Sequence, residues 1–151
     1  MADPPLDGDL LTAYRQTTYE ADLPPGGVRI RVGDRHPDLD AWLARHGWTT
    51  WGFVTAWNPG SIETAAEDNR QRHLALTRAV AALRRPSWPG RGVPDTGDWT
   101  PEESLFIAGI TRQDAVALGA RFGQRAIVWG EAGGDATLVA CHHAPRESGA
   151  I

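Results

Sequence analysis

The segment Thr49–Trp57 most constrains the fold, because it contains no charged residue in the run TTWGFVTAW. A strand without charge on either face is typical of the interior of a sheet, where it needs hydrogen-bonding neighbours at both edges and cover on both faces. The sequence therefore predicts a layered protein built around this central strand.

Turn signals separate further apolar runs that can supply its neighbours. Pro24-Pro25-Gly26-Gly27 and Gly133-Gly134-Asp135 each divide two such runs, which predicts two hairpins. The predicted strands are Thr17–Leu23, Val28–Val32, Thr49–Trp57, Ser104–Ile110, Ala126–Gly130 and Thr137–Cys141.

Capping signals predict three helices between these strands. Gly47 is a suitable C-terminal stop, Thr64 and Glu67 have the spacing of a capping box, and Thr111 is a suitable N-cap. The predicted helices are 37–47, 64 to 83 or 84, and 111–123. A Pro/Gly-rich loop is expected at Pro86–Pro101.

The resulting order, ββαβαβαββ, is typical of a single-domain α/β or α+β protein. We expect a mixed sheet of about six to seven strands with three helices packed on it. The predicted domain is 9–143, and flexible tails are expected at 1–8 and 144–151, where small, polar and proline residues offer little to bury.

The composition excludes several kinds of chemistry. The combined Lys and Arg count of 15 is entirely arginine, so no lysine can form a Schiff base or complete a Walker phosphate loop. The single cysteine, Cys141, cannot form an intrachain disulfide, a Cys-rich zinc site or an iron–sulfur cluster. No cofactor and no metal site are predicted, although His142 and His143 follow Cys141, because adjacent strand residues point to opposite faces.

Charge and hydropathy limit the partners. The net charge of −4 argues against duplex DNA, which usually binds a basic face. No apolar run approaches the roughly 20 residues that span a bilayer, and no secretory signal pattern is present. The expected location is the cytoplasm.

A candidate binding site follows the central strand. Thr55, Asn58 and Ser61 lie where the strand ends and a helix is about to begin, and free main-chain N–H groups at such a position favour an anion. Alternatively, Asn58-Pro59-Gly60-Ser61 is only a turn with an N-cap.

Two polar residues interrupt the apolar stripe of the following helix. Asn69 and His73 lie one turn apart on the face that also carries Ile62, Leu76 and Val80. A buried amide left without a partner costs about 1–3 kcal/mol, so Asn69 needs a partner. That partner is either a loop carbonyl or a ligand in the cleft of Asn58, and His73 is either a ligand contact or an ordinary core histidine.

Glu102 and Ser104 begin a predicted strand and point to the same side as Phe106. A carboxylate beside an apolar strand is a candidate general acid or base, and Ser104 is a candidate hydrogen-bond partner or nucleophile. Alternatively, Glu102 belongs to a solvated acidic loop surface.

Several short motifs occur in a defined order along the chain. They are Ala13-Tyr14-Arg15-Gln16-Thr17, Thr55-Ala56-Trp57-Asn58-Pro59, Asn69-Arg70, Glu102-Glu103-Ser104, the run from Ala115 to Ile127, and Leu138-Val139-Ala140-Cys141. Over about residues 13–141, this order resembles the DUF3293 family of bacterial proteins, a domain of unknown function. The resemblance implies no established activity, but it adds Gln124 to the candidates, because the polar members of its motifs are Thr55, Asn58, Asn69, Glu102, Ser104 and Gln124.

The leading hypothesis is a protein that binds a polar or anionic small molecule at the strand-end segment. If it is an enzyme, cofactor-free hydrolysis or group transfer with Glu102 as acid or base fits best. One alternative is a non-catalytic module that binds a nucleotide, RNA or a protein through the arginines and Trp88 of segment 84–91. Another is a buried structural network of polar residues with no ligand.

Overall fold

The computed structural model describes residues 8–97 and 100–141, and of Ser61 it describes the backbone alone. The predicted tails lie almost wholly outside this part of the chain, as do His142 and His143. The described elements form one α+β domain.

The helices are α1 Gly8–Arg15, α2 Pro37–His46, α3 Ala66–Ala82 and α4 Arg112–Arg121, with one 3₁₀ turn at Pro59–Ser61. The strands are β1 Thr17–Ala21, β2 Val28–Ile30, β3 Thr50–Thr55, β4 Ser87–Pro94, β5 Glu102–Ala108, β6 Ala126–Glu131 and β7 Thr137–Ala140.

The strands form one curled sheet in the order β2-β1-β4-β5-β3-β6-β7. The prediction for the central strand is confirmed: β3 lies between β5 and β6, and Trp51 through Val54 are buried. Both predicted hairpins form, β1 with β2 and β6 with β7. All the strand pairs are antiparallel, which differs from the mixed sheet expected from the alternating order.

The helices divide between the two faces of the sheet. On one face, α2 packs through Leu39, Trp42 and Leu43, and Tyr14 of α1 packs beside it. On the other face, α3 and α4 pack through residues such as Leu76 and Leu118. The caps of two helices are as predicted: Gly47 ends α2 at φ 78°, and the Thr111 hydroxyl accepts the N–H of Asp114 at 3.1 Å.

Two elements were missed. Segment 87–94 is strand β4 rather than a loop, and it pairs with both β1 and β5 despite its prolines and glycines. Gly90 and Gly92 are used here for packing, because the rings of Phe53 and Tyr19 lie against them. The short apolar segment at Leu10–Tyr14 is helix α1, so the described residues contain four helices instead of three.

The start of α3 also differs from the prediction. The helix begins at Ala66, and no side chain caps it. Thr64 instead donates its hydroxyl to the carbonyl of Ile62, and Ile62 is 70% exposed rather than part of the buried stripe. The capping-box prediction is therefore wrong, because the main chain of Thr64 is held by Asn58 in a loop before the helix.

Candidate functional site

A cavity of about 280 Å³ lies between the sheet and α1. Residues of α1, β1, β3, β4, β5 and β6 contribute to its wall. The lining residues are Leu10, Ala13, Tyr14, Thr17, Tyr19, Phe53, Thr55, Asn58, Gly92, Pro94, Thr100, Glu102, Ser104, Gln124, Ala126, Ile127 and Val128. The cavity thus brings together five of the predicted site residues: Thr55, Asn58, Glu102, Ser104 and Gln124.

Glu102 places a carboxyl group in this largely apolar space. It is half-buried at the start of β5, and its Oε2 accepts a hydrogen bond of 2.9 Å from Asn58 Nδ2. Burial raises the pKa of Glu102 above its usual range, and the Asn58 hydrogen bond offsets part of that rise. Desolvation therefore dominates, and the group is easier to protonate than an exposed glutamate.

Asn58 is fixed by its surroundings in one amide orientation. Its Oδ1 accepts the main-chain N–H of Thr64 at 3.0 Å and the Nδ2 of Asn69 at 2.9 Å. Because a main-chain N–H can only donate, the oxygen must face Thr64 and the Nδ2 must face Glu102. Asn58 also has a left-handed backbone, at φ 47°, which asparagine tolerates better than most residues.

Asn69 does not line the cavity but contacts Asn58, which does. Its side chain is 2% exposed. Its Oδ1 accepts the N–H of Asn58 at 2.9 Å, and its Nδ2 donates to the Thr64 carbonyl at 3.1 Å as well as to Asn58. Asn69 therefore satisfies the loop main chain and positions Asn58, which in turn holds Glu102.

Three other polar lining residues donate their side-chain hydrogens to main-chain carbonyls. Thr55 donates to Glu103 at 2.7 Å, and Ser104 donates to Glu102 at 3.0 Å. Gln124 Nε2 donates to Trp57 at 3.0 Å and to Phe122 at 3.4 Å. The Ser104 hydroxyl is bonded to a carbonyl rather than to a base, so this geometry does not activate it as a nucleophile.

Tyr14 is a site residue that our sequence reasoning missed. It reaches from α1 across the cavity wall, and its hydroxyl donates to the carbonyl of Ala126 at 3.3 Å. Burial and then the charge of Glu102 raise the pKa of Tyr14, so the phenol stays protonated. Its position inside the first motif of the family resemblance was the available signal.

Arg72 is a second missed residue, and it joins the strand end to α4. Its Nε donates to the carbonyl of Ala56 at 2.9 Å, and a terminal guanidinium nitrogen donates to the carbonyl of Phe122. Nearby, the N–H of Gly60 donates to Gly123 at 2.8 Å. These bonds hold the loop that carries Asn58 against the end of α4.

His73 is not among the described residues that line the cavity. His73 lies half-buried on α3, and its Nδ1 is buried without a hydrogen-bond partner in the described part of the chain. Ser61 ends the 3₁₀ turn, and its side chain lies outside what is described. The helical stripe thus places Asn69 next to Asn58, outside the cavity wall, and His73 away from both.

Three of the main-chain N–H groups that could hold an anion at the strand end are already bonded within the loop. The N–H groups of Trp57, Asn58 and Thr64 donate to the side chains of Thr55, Asn69 and Asn58. The first turn of α3 carries Glu67 and Asp68, which repel an anion. The loop and the first turn of α3 therefore favour an anion less than the sequence pattern indicates, and the anion site stays a prediction.

Segment 84–91, the basis of the nucleic-acid alternative, divides into exposed Arg84 and Arg85 and a part that the sheet takes up. Trp88 is half-buried in β4, and its ring lies 5.0 Å from that of Trp42, between centroids. Arg91 pairs with Glu20 at 3.2 Å and Asp22 at 2.6 Å. From Ser87 onward the segment belongs to the sheet, so Trp88 and Arg91 are engaged there and only Arg84 and Arg85 are exposed as the alternative requires.

The described residues contain neither a metal-binding cluster nor a membrane-spanning helix. Within 8–97 and 100–141, no three His, Cys, Asp or Glu side chains are grouped closely enough to hold a metal ion. Burial raises the pKa of the Cys141 thiol to about 12, so it is protonated at neutral pH. No helix in these same ranges has the length and apolar character needed to cross a membrane.

Comparison with known proteins gave one match. No curated protein and no solved structure matches the chain. Residues 54–127 match the family model described as "Protein of unknown function (DUF3293)", a segment that runs from β3 to β6 and includes Asn58, Asn69, Glu102, Ser104 and Gln124. This segment of the chain belongs to the DUF3293 family.

Proposed function

We propose that the protein binds a small organic molecule in the cavity beneath α1, with Glu102 as its polar anchor. The observation that carries this proposal is a half-buried carboxyl, held by Asn58, in a space otherwise lined mainly by aromatic and aliphatic side chains. Binding sites for small molecules commonly combine an apolar wall with a few placed polar groups, one of them with a shifted pKa.

The volume of the cavity limits the size of the ligand. At about 280 Å³, it lies at the lower end of ligand pockets, which commonly span about 300–1,000 Å³. A molecule with a single ring and a short polar substituent fits this volume.

In its catalytic form, the proposal makes Glu102 a general acid or base in a cofactor-free hydrolysis or group transfer. The raised pKa of Glu102 supports this role, because proton transfer is most efficient when the pKa approaches the working pH. Ser104 contributes its hydroxyl oxygen as a hydrogen-bond acceptor in the wall. The cytoplasm, expected from the cysteine content, remains the proposed location.

Ligand-observed NMR with a library of neutral, cationic and anionic single-ring fragments tests the binding proposal. The matched variants are Gly92→Phe and Gly92→Ala. The phenylalanine ring fills the cavity, whereas the alanine adds a Cβ at an ordinary contact distance of 3.5 Å and leaves the space open. We expect fragments that bind the wild type and Gly92→Ala but not Gly92→Phe. If Gly92→Phe does not fold, Ala13→Trp at the cavity rim takes its place.

Two results overturn the binding proposal. One is a library in which no fragment binds the wild type. The other is a set of bound fragments that the cavity-filling variant binds equally well, since these lie elsewhere on the molecule.

The catalytic form is tested by incubating a metabolite extract with the wild type, Glu102→Gln or the control Glu103→Gln. Mass spectrometry should show a compound that is consumed by the wild type and Glu103→Gln but not by Glu102→Gln. Equal consumption by all three proteins would remove Glu102 from catalysis.

A further inference from the structure

We infer that the ligand of this cavity carries a protonated nitrogen, so that the site selects small organic ammonium ions with a compact apolar body. This inference rests on the proposed binding function and specifies its ligand class. It is carried by the charge of the wall, by the direction of its hydrogen bonds and by its aromatic rings.

The wall has one negative group and no basic side chain to balance it. Among the described residues that line the cavity, Glu102 is the one carboxyl, and none is arginine or histidine. An anionic ligand would therefore meet a like charge at close range, in a space where water screens it poorly. A cation would supply the missing counter-charge.

Four polar side chains of the wall have their hydrogens already donated, which leaves their oxygens as acceptors; the hydroxyls of Thr100 and Tyr19 also line this space. The hydroxyl hydrogens of Thr55, Ser104 and Tyr14 are all donated to main-chain carbonyls. Both Nε2 hydrogens of Gln124 are used in the same way, at Trp57 and Phe122.

The hydrogen-bonding capacity that remains on these groups is that of their oxygen atoms, which accept. Glu102 Oε1 and Gln124 Oε1 have no hydrogen-bond donor within the described part of the chain, and the Ser104 hydroxyl oxygen still has lone pairs. An ammonium group is all donor, with up to three hydrogens and no acceptor, and so complements such a wall. A carboxylate or phosphate is all acceptor and does not.

Aromatic rings complete the complementarity. Tyr14, Tyr19 and Phe53 line the same space, and the Tyr19 and Phe53 rings meet edge to face at a centroid distance of 5.3 Å. Ring faces attract cations, and their apolar surface accommodates the body of the ligand. Burial raises the pKa of Tyr19 well above its ordinary value, so its phenol adds no second negative charge.

Three probes of matched shape test the charge preference: phenethylamine, which is protonated at neutral pH, phenethyl alcohol, which is neutral, and phenylacetate, which is anionic. Isothermal titration of the wild type should rank them in that order, with the amine at least about tenfold tighter than the alcohol. Glu102→Gln should weaken the amine by about tenfold or more and change the alcohol far less. Glu103→Gln, on the exposed side of the same strand, should match the wild type.

The ranking of the three probes on the wild type tests the charge preference even if a variant does not fold. The inference is overturned if the alcohol or phenylacetate binds as tightly as the amine, if no probe binds, or if Glu102→Gln binds the amine with unchanged affinity. The binding proposal is judged separately by the fragment comparison with Gly92→Phe, which includes neutral and anionic compounds.

Discussion

Glu102 costs the folded protein stability when it is ionised, because its carboxylate loses water on folding and lies near no basic residue of the cavity wall. Its pKa in the folded state is raised, so its contribution to stability is fully present below the pKa of the unfolded chain and is lost as the pH rises through the folded pKa. Glu102→Gln keeps an oxygen for the Asn58 bond but has no charge. We therefore expect it to be at least as stable as the wild type near pH 7, with an advantage that shrinks as the pH falls to about 4.

Urea unfolding at both pH values measures this difference, and Glu103→Gln is the control for removing a charge from an exposed position of the same strand. A loss of about 2 kcal/mol or more in Glu102→Gln near pH 7 would contradict the prediction. It would mean that the carboxylate is a structural partner, as the network hypothesis holds.

Asn69 is the structural partner on which the site depends. Asn69→Ala leaves the buried N–H of Asn58 and the carbonyl of Thr64 without their hydrogen bonds. We expect a loss of about 2–4 kcal/mol in the free energy of unfolding, measured in urea at neutral pH. Gln71→Ala on the exposed side of the same helix removes an amide that contacts Glu67 at the surface, and should change stability by no more than about 0.5 kcal/mol. Equal losses in the two variants would show that the buried amide has no special role.

Several site residues could be predicted because each breaks a local pattern. Asn69 interrupts an apolar helical stripe, and Glu102 and Ser104 interrupt an apolar strand. The unusual position of each residue is therefore visible in the sequence. Their partners are not, because the bond from Asn58 to Glu102 joins residues far apart in the chain. Tyr14 breaks no pattern, since a tyrosine on a short amphipathic segment is typical of ordinary packing, and only the fold brings it to the cavity.

Strand β4 depends on two glycines that differ in the space beside them. Gly90 pairs with Ala21 and Ser104, and an added Cβ would lie 2.5 Å from the carbonyl oxygen of Glu20. Gly92 follows on the same face, and its Cβ would meet nothing closer than 3.5 Å. We expect Gly90→Ala to lose about 1–3 kcal/mol in urea unfolding, because backbone must move.

Gly92→Ala is the matched comparison, with an expected change within about 0.5 kcal/mol. Similar losses at both positions would indicate that glycine is needed for the strand conformation rather than for close packing. The two glycines together explain why a segment with turn-forming composition is a strand between β1 and β5.

The helices and strands with strong local signals were predictable, and the others were not. The caps at Gly47 and Thr111 form hydrogen bonds within their own helices. The sequence of each helix is therefore enough to predict where that cap lies. Strand β4 does depend on it, because Pro89 and Gly90 are typical of turns until neighbouring rings and backbones require small residues there. Thr64 fails as a cap for the same reason: Asn58 holds its N–H in a loop.

The sheet has one hydrophobic core on each of its faces. Ile30 on β2 belongs to the core beneath α1 and α2, whereas Ile107 on β5 belongs to the core beneath α3 and α4. Both side chains are fully buried, and three strand spacings of about 4.8 Å, or about 14 Å, separate them. Residues this far apart with no shared partners usually contribute independently to stability.

We therefore expect Ile30→Val and Ile107→Val each to cost about 0.5–1.5 kcal/mol, and the double variant to equal their sum within about 0.5 kcal/mol. Urea unfolding of the four proteins at one pH measures the cycle. Phe53→Leu and Tyr19→Phe are the comparison pair, because the centroids of those two rings lie 5.3 Å apart. Their combined effect should differ from the sum of the single effects. A large coupling between Ile30 and Ile107 would mean that strain crosses the sheet.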